Sequence, residues 1–173
     1  MTESPAGLAW LSAFDAEVRR ALPLSTPARN LLCAHAALEC GWGTSFAFRK
    51  GLNAFSITAG PHWHGAVVAG GDLEYVAGAK PTAKPRAITQ LWRVYPTVGA
   101  AIEDAWAFLG WPRYKPARDA LERGEAAEYV ARLHDGGYFT LPSAQYYIGI
   151  DSCLRRVVAA LTPPDPAVTP PAV

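Results

Sequence analysis

Apolar residues recur at spacings of three and four from Leu8 through Leu11, Phe14 and Val18 to Leu22, the pattern of one helical face. They predict an amphipathic helix over residues 5–22 with Arg19 and Arg20 near its end. After Thr26 the polar face disappears. Thr26 and Pro27 make an N-cap and first-turn pair, and Leu31, Leu32, Cys33, Ala34, Ala36, Ala37 and Leu38 follow up to Gly41. A helix apolar on nearly every side is expected to be the buried axis of a domain. Between Gly51 and Pro96 the helical period is lost. Residues 64–76 read as a hairpin turning at Gly70-Gly71, and residues 88–95 return as a third strand after a Lys/Pro-rich loop at 78–86. Thr97 then caps a helix carrying Val98, Ile102, Ala105, Trp106 and Leu109. Two shorter helices are expected near 113–122 and 125–134, ending at Gly136-Gly137, and a last one over 143–161 with Tyr147, Ile150, Leu154, Val157, Val158 and Leu161 inward. The Pro-rich run from Thr162 cannot continue a helix. The pattern therefore divides the chain into a domain over 1–161 and a tail or linker over 162–173.

Length and composition narrow this picture. With 173 residues, half of them hydrophobic and 18% charged, the chain can bury one core without metal or disulfide support. Six Trp and seven Tyr leave aromatic surface for a ligand groove, and sugar rings stack well on such surfaces. A formal charge of +1, with no basic stripe, argues against nucleic acid as a partner. Cys33, Cys40 and Cys153 are an odd set without a disulfide framework and read as buried thiols. The opening run Met1-Thr2-Glu3-Ser4-Pro5 lacks the features of a secretory signal, and no apolar stretch is long enough to span a bilayer. Synthesis in the cytoplasm without a signal peptide or membrane insertion is the expectation, so anything the chain does outside the inner membrane needs another route across.

The chemistry concentrates where the second helix stops. Glu39 closes it and is followed by Cys40-Gly41-Trp42-Gly43-Thr44-Ser45. A carboxyl at that place meets the negative end of the helix dipole and partial desolvation against an indole, and both disfavour its charge. A carboxylic acid that holds its proton is what glycosidic cleavage requires, because the leaving oxygen must be protonated as the bond breaks. His35, one turn earlier, is placed to touch Glu39.

The pieces Ala37 to Ser45, Asn53-Ala54-Phe55-Ser56-Ile57, Tyr95 before a helix, Arg113-Tyr114 and Gly137-Tyr138 occur in one order over much of the chain. In this the chain resembles the peptidoglycan-cleaving N-acetylglucosaminidases of glycoside hydrolase family 73, which include flagellar muramidase-like and autolysin domains. The resemblance implies an α+β, lysozyme-like fold, mostly helical with a small β lobe bordering the cleft. It also implies hydrolysis of the β-1,4 bond after N-acetylglucosamine, with Glu39 as catalytic acid and no metal or cofactor. Glu74, followed by Tyr75, matches the second carboxylate, with Asp72 as a competitor on the same strand. Tyr138 matches an aromatic bordering the cleft, whose hydroxyl holds water or an N-acetyl group. Trp42, Asn53, Phe55, Tyr114 and Tyr146 are the implied substrate-binding residues, Asn53 through its amide to an acetamido group. Two runs depart from the pattern. Phe139-Thr140-Leu141-Pro142 replaces Ala-Thr-Asp-Pro, and Phe55-Ser56-Ile57-Thr58 replaces Phe-Gly-Ile-Lys, so an Asp and a basic contact are missing.

Other readings stay open at this level. Muramidase or lytic transglycosylase chemistry fits the same fold, as does a module that binds glycan without cutting it. A Cys33 or Cys40 nucleophile with His134 would suit wall-peptide amidase chemistry, but buried helical thiols make poor nucleophiles. His62 and Trp63 are expected at the rim of the sugar groove. Peptidoglycan strands are the expected partner, with phage, gene-transfer particle or secretion components as delivery partners.

Overall fold

The computed structural model describes residues 4–74 and 86–162, with only the backbone described for residues 72–74 and 86. In order along the chain come α1 (Pro5–Ala21), α2 (Thr26–Cys40), α3 (Phe46–Gly51), β1 (Val67–Glu74), β2 (Arg86–Arg93), α4 (Val98–Leu109), α5 (Lys115–Arg123), α6 (Ala126–Asp135) and α7 (Ser143–Leu161). The helices form one body, and the strands pair antiparallel beside it, with α3 packed against both. No described helix is long and apolar enough to cross a membrane.

The apolar run of α2 has the consequence expected of it. Ala28 and every residue from Asn30 to Ala37 are buried, as is Cys40, and α2 packs against α1, α5 and α7. Its cap lies one residue earlier than Thr26: the Ser25 hydroxyl accepts from the Ala28 N–H, with Pro27 in the first turn. Its far end is closed by Gly41 at φ 55°, a left-handed conformation that glycine adopts without strain. All three cysteines are free and buried. Burial pushes the Cys33 and Cys40 thiols up to about 12 and Cys153 to about 11, so none offers a thiolate near neutral pH.

Three expectations about elements need correction, and one short helix was not anticipated. Gly70-Gly71 is not a turn: both lie within β1, paired with Gln90 and Thr89 in a register running from Val67↔Arg93 to Glu74↔Arg86. Glycine is needed at position 70 because the Phe46 ring lies against it, and an added Cβ would come within 2.6 Å of Phe46 Cε1. The segment expected to be a third strand is thus the second of two among the described residues, and the connection between them lies outside those residues, as does the tail beyond 162. On α7 the buried stripe is Tyr146, Ile150, Cys153 and Val157, one position out of phase with Tyr147 and Val158. The helix α3, capped by Ser45, had no periodic signal because six residues make less than two turns.

Polar groups also tie the body together. Asp15, on the inner face of α1, accepts from Arg19 Nε at 2.7 Å and from Arg29 Nε of α2 at 2.9 Å. Arg29 and Asp15 are both nearly buried, so removing the carboxylate strands a guanidinium in the interior. Asp15→Ala is expected to lower unfolding stability by about 3 kcal/mol, measured by urea denaturation, whereas a loss below about 1 kcal/mol would class the pair with ordinary surface ion pairs.

Candidate active site

Because α2 is buried for most of its length and stops at Gly41, its last turn is where the helix emerges from the core. Glu39 sits there, with its side chain 17% exposed. Its Oε1 accepts a hydrogen bond of 2.5 Å from the Tyr146 hydroxyl of α7. Burial and the Glu39 charge raise Tyr146 well above the ordinary phenol range, so it keeps the proton it donates. His35 Nε2 faces the same oxygen at 3.8 Å, beyond hydrogen-bond length. The far side of the His35 ring meets the Tyr129 hydroxyl at 2.6 Å through Nδ1.

Glu39 lines a cleft of about 560 Å³ between the helical body and the strand pair. Its walls include Phe46, Trp92, Phe108, Tyr114, Tyr138 and Phe139, with Ser56, Ile57 and Thr58 completing one side. That last wall is fastened from several directions. The buried Asn53 amide donates to the Ile57 and Arg93 carbonyls at 2.8 and 3.1 Å, and its oxygen accepts from the Ile57 N–H at 3.0 Å. Tyr138 donates its hydroxyl proton to the Phe55 carbonyl at 2.6 Å. Ser56, at φ 50°, occupies a left-handed conformation that costs a non-glycine residue about 1 kcal/mol. Its hydroxyl donates to the Glu39 carbonyl at 3.2 Å, an interaction of similar size and opposite sign. Behind the wall, Arg93 donates to Asp104 at 2.7 Å and to the Thr58 carbonyl at 3.1 Å, while Tyr95 donates to the same Asp104 oxygen at 2.7 Å.

A half-buried carboxyl beside an aromatic cleft is the arrangement that the motif order implies, and comparison with known proteins decides the family. The family model described as Mannosyl-glycoprotein endo-beta-N-acetylglucosaminidase matches residues 20–158. The chain belongs to this glucosaminidase family. It is 32% identical over 118 residues to the peptidoglycan hydrolase FlgJ of Vibrio parahaemolyticus, covering 66% of this chain and 36% of that protein. Against the peptidoglycan hydrolase FlgJ of Pseudomonas aeruginosa it is 32% identical over 146 residues, covering 77% of this chain and 34% of that protein. The chain thus spans about a third of the length of these curated relatives. A crystal structure of a peptidoglycan hydrolase mutant from Sphingomonas sp. A1 matches with a TM-score of 0.67 at 25% identity, over 88% of this chain and 98% of that one. The fold is lysozyme-like, mostly helical with its small antiparallel lobe, and the family is one of glycoside hydrolases.

Within this glucosaminidase fold the expected site residues divide. Glu39, Tyr114 and Tyr138 line the cleft, and Tyr146 touches Glu39 from behind it. Trp42 does not join them. It packs edge-on to Trp10 at 6.1 Å with the Arg156 guanidinium 4.5 Å over its ring, so it supports the helix end and is absent from the cleft wall. Phe55 is buried among Phe14 and His35 and contributes its carbonyl to Tyr138. Asn53 is fully buried with its amide committed to the protein, leaving none for an acetamido group. Glu74 and Asp72 are strand residues whose side chains lie outside the described ones. His62 is exposed, and Trp63 lines a separate hollow with Tyr95 and Asp104, under the Arg93 guanidinium at 4.8 Å. Phe46, Trp92, Phe108 and Phe139 were missed because aromatics that face a cleft have the same spacing as aromatics that face a core. Asn53→Ala is expected to lower stability by about 2–3 kcal/mol, as partners of a buried amide lose their bonds. Unchanged urea unfolding with weakened substrate binding would instead return Asn53 to the ligand.

Proposed function

We propose that the chain hydrolyses bacterial peptidoglycan at the β-1,4 bond following N-acetylglucosamine, with Glu39 as general acid. The observation that carries this reading is Glu39 itself: half-buried, held at Oε1 by Tyr146, and among the residues lining a cleft walled by aromatic rings. A space of about 560 Å³ suits a short length of polysaccharide, and the rings offer stacking faces to sugars. Membership of the glucosaminidase family and the similarity to peptidoglycan hydrolases support the substrate.

In the proposed reaction the protonated Glu39 gives its hydrogen to the glycosidic oxygen as the carbon–oxygen bond breaks, and the bonding pair leaves with that oxygen. Positive charge develops at the sugar carbon and is met by Glu74 or by the substrate's own acetamido oxygen, after which water completes hydrolysis. A carboxyl separation near ~5 Å would give retention through a nucleophile, and one of ~6.5–9.5 Å inversion through a water. The cell wall is the place of action on this reading.

Glu39→Gln is expected to remain folded and to lose about 10³-fold or more in lytic rate, the scale of a general acid's contribution. Digests of purified sacculi by the unaltered chain should release muropeptides ending in reducing N-acetylglucosamine by mass spectrometry. Reducing N-acetylmuramic acid would reassign the bond, and undiminished lysis by the Glu39 variant would remove the mechanism.

A further inference from the structure

Behind Glu39 lies a buried polar pair with no role in the scheme so far. His35 and Tyr129 are almost wholly buried and meet through Nδ1 and the hydroxyl at 2.6 Å. Burial, together with the Glu39 charge, holds Tyr129 well above the ordinary phenol range, so its proton stays. If Nδ1 carried the imidazole hydrogen, the phenol O–H would have no acceptor shown among the described residues. With Tyr129 donating instead, Nδ1 accepts and the hydrogen of the neutral ring lies on Nε2. Nε2 is buried and makes no hydrogen bond. It points at Glu39 Oε1 from 3.8 Å, and ring contacts with Phe55, Tyr129, Tyr138 and Tyr146 at 5.2 to 6.4 Å fix the imidazole plane. Buried donors without partners are rare in folded proteins, and this one is aimed at a carboxyl oxygen.

We infer that His35 is a positioning residue for the acid: Tyr129 sets its tautomer, and its Nε2–H stabilises the carboxylate that Glu39 becomes when its proton leaves. The inference rests on the reading of Glu39 as general acid. Tyr146 already occupies Oε1, so Oε2 is the oxygen left to carry and release the proton. The Glu39 O–H bond breaks, the O–H of the leaving sugar forms, and the resulting carboxylate gathers charge on both oxygens. His35 keeps its own proton and closes the gap to Oε1, an interaction weak in the ground state and strong only as charge appears. Interactions of that kind raise kcat rather than lower KM.

The groups facing the acid are His35 of its own helix, Tyr146 of α7, Tyr129 of α6 behind His35, and Tyr138 from the turn before α7. The test compares the unaltered chain with His35→Met, His35→Gln, Tyr129→Phe and Glu39→Gln on soluble glycan strands, with kcat, KM, pH profile and thermal melting recorded for each. His35→Met removes the donor. It is expected to lower kcat about 10- to 100-fold, less than the loss of a fully formed oxyanion donor, with KM within about twofold. Its alkaline limb should move to higher pH, because the charged acid has lost a donor. His35→Gln, which restores an N–H at similar reach, should recover most of kcat, and Tyr129→Phe should fall between the two.

A folded His35→Met with unaltered kcat and pH profile, beside an inactive Glu39→Gln, overturns the positioning role and leaves the acid in place. Equal losses in His35→Met and His35→Gln overturn it too, since packing alone would then explain both. If His35→Met does not fold, an unaltered pH profile in Tyr129→Phe is the overturning result. An active Glu39→Gln removes the acid reading and this inference with it.

Discussion

A helix buried without interruption from Asn30 to Ala37 and emerging at its last turn is the constraint on which the cleft depends. Because α2 is the axis around which α1, α5 and α7 pack, its direction and end point are set by many apolar contacts, and Glu39 inherits a position that loops alone could not hold. The same burial explains the polar residues nearby. His35 can sit at 1% exposure because Tyr129 satisfies one ring nitrogen, and Tyr146 can lie against Glu39 because both reach the same edge of the core from different helices. Gly41 ends the helix one step past Cys40, so the acid is held by the core and still reaches solvent.

The opposite wall depends on polar groups rather than apolar packing. Residues 53–58 have little regular structure, and their shape comes from the Asn53 amide, the Tyr138 hydroxyl and the Ser56 hydroxyl, each bonding a backbone group of the loop or its neighbours. Asn53 also joins this loop to β2 through the Arg93 carbonyl, and Arg93 is held in turn by Asp104. The strand pair is tied to the helical body through this chain of bonds and through Phe46 of α3 lying over Gly70. Ser56 takes a left-handed conformation where the resembled pattern would put glycine, and its hydroxyl is tethered to the Glu39 carbonyl.

How much of this was legible in the sequence follows from which forces set each part. The helices with long apolar periods, α1, α2, α4 and α7, are written in their spacing, although the cap of α2 and the buried face of α7 each lie one position from where the pattern put them. Thr97 does cap α4, accepting from the Ala100 N–H. The position of Glu39 at a helix end was equally readable, since Gly41 stops the helix whatever packs around it. What could not be read is what a side chain faces across space. Trp42 adjoins the acid in sequence, yet its left-handed φ of 56° turns it toward Trp10 and Arg156 and away from the cleft. Gly70-Gly71 resembled a turn because glycine favours turns, while both lie within β1 and Gly70 lets the Phe46 ring approach the strand. Asn53 looked like a ligand group because an amide serves a backbone and an acetamido group equally well.

The central claim is that a glycan lies in the aromatic cleft with its scissile oxygen against the Glu39 carboxyl. A crystal structure of the Glu39→Gln protein with a bound glycan-strand fragment tests this most directly. The account predicts a glycosidic oxygen within about 3 Å of the residue 39 side chain, with sugar rings against the Phe46, Trp92 and Phe139 wall. A fragment seated elsewhere, such as the hollow beside Trp63 and Tyr95, with the residue 39 side chain facing only water, would contradict it.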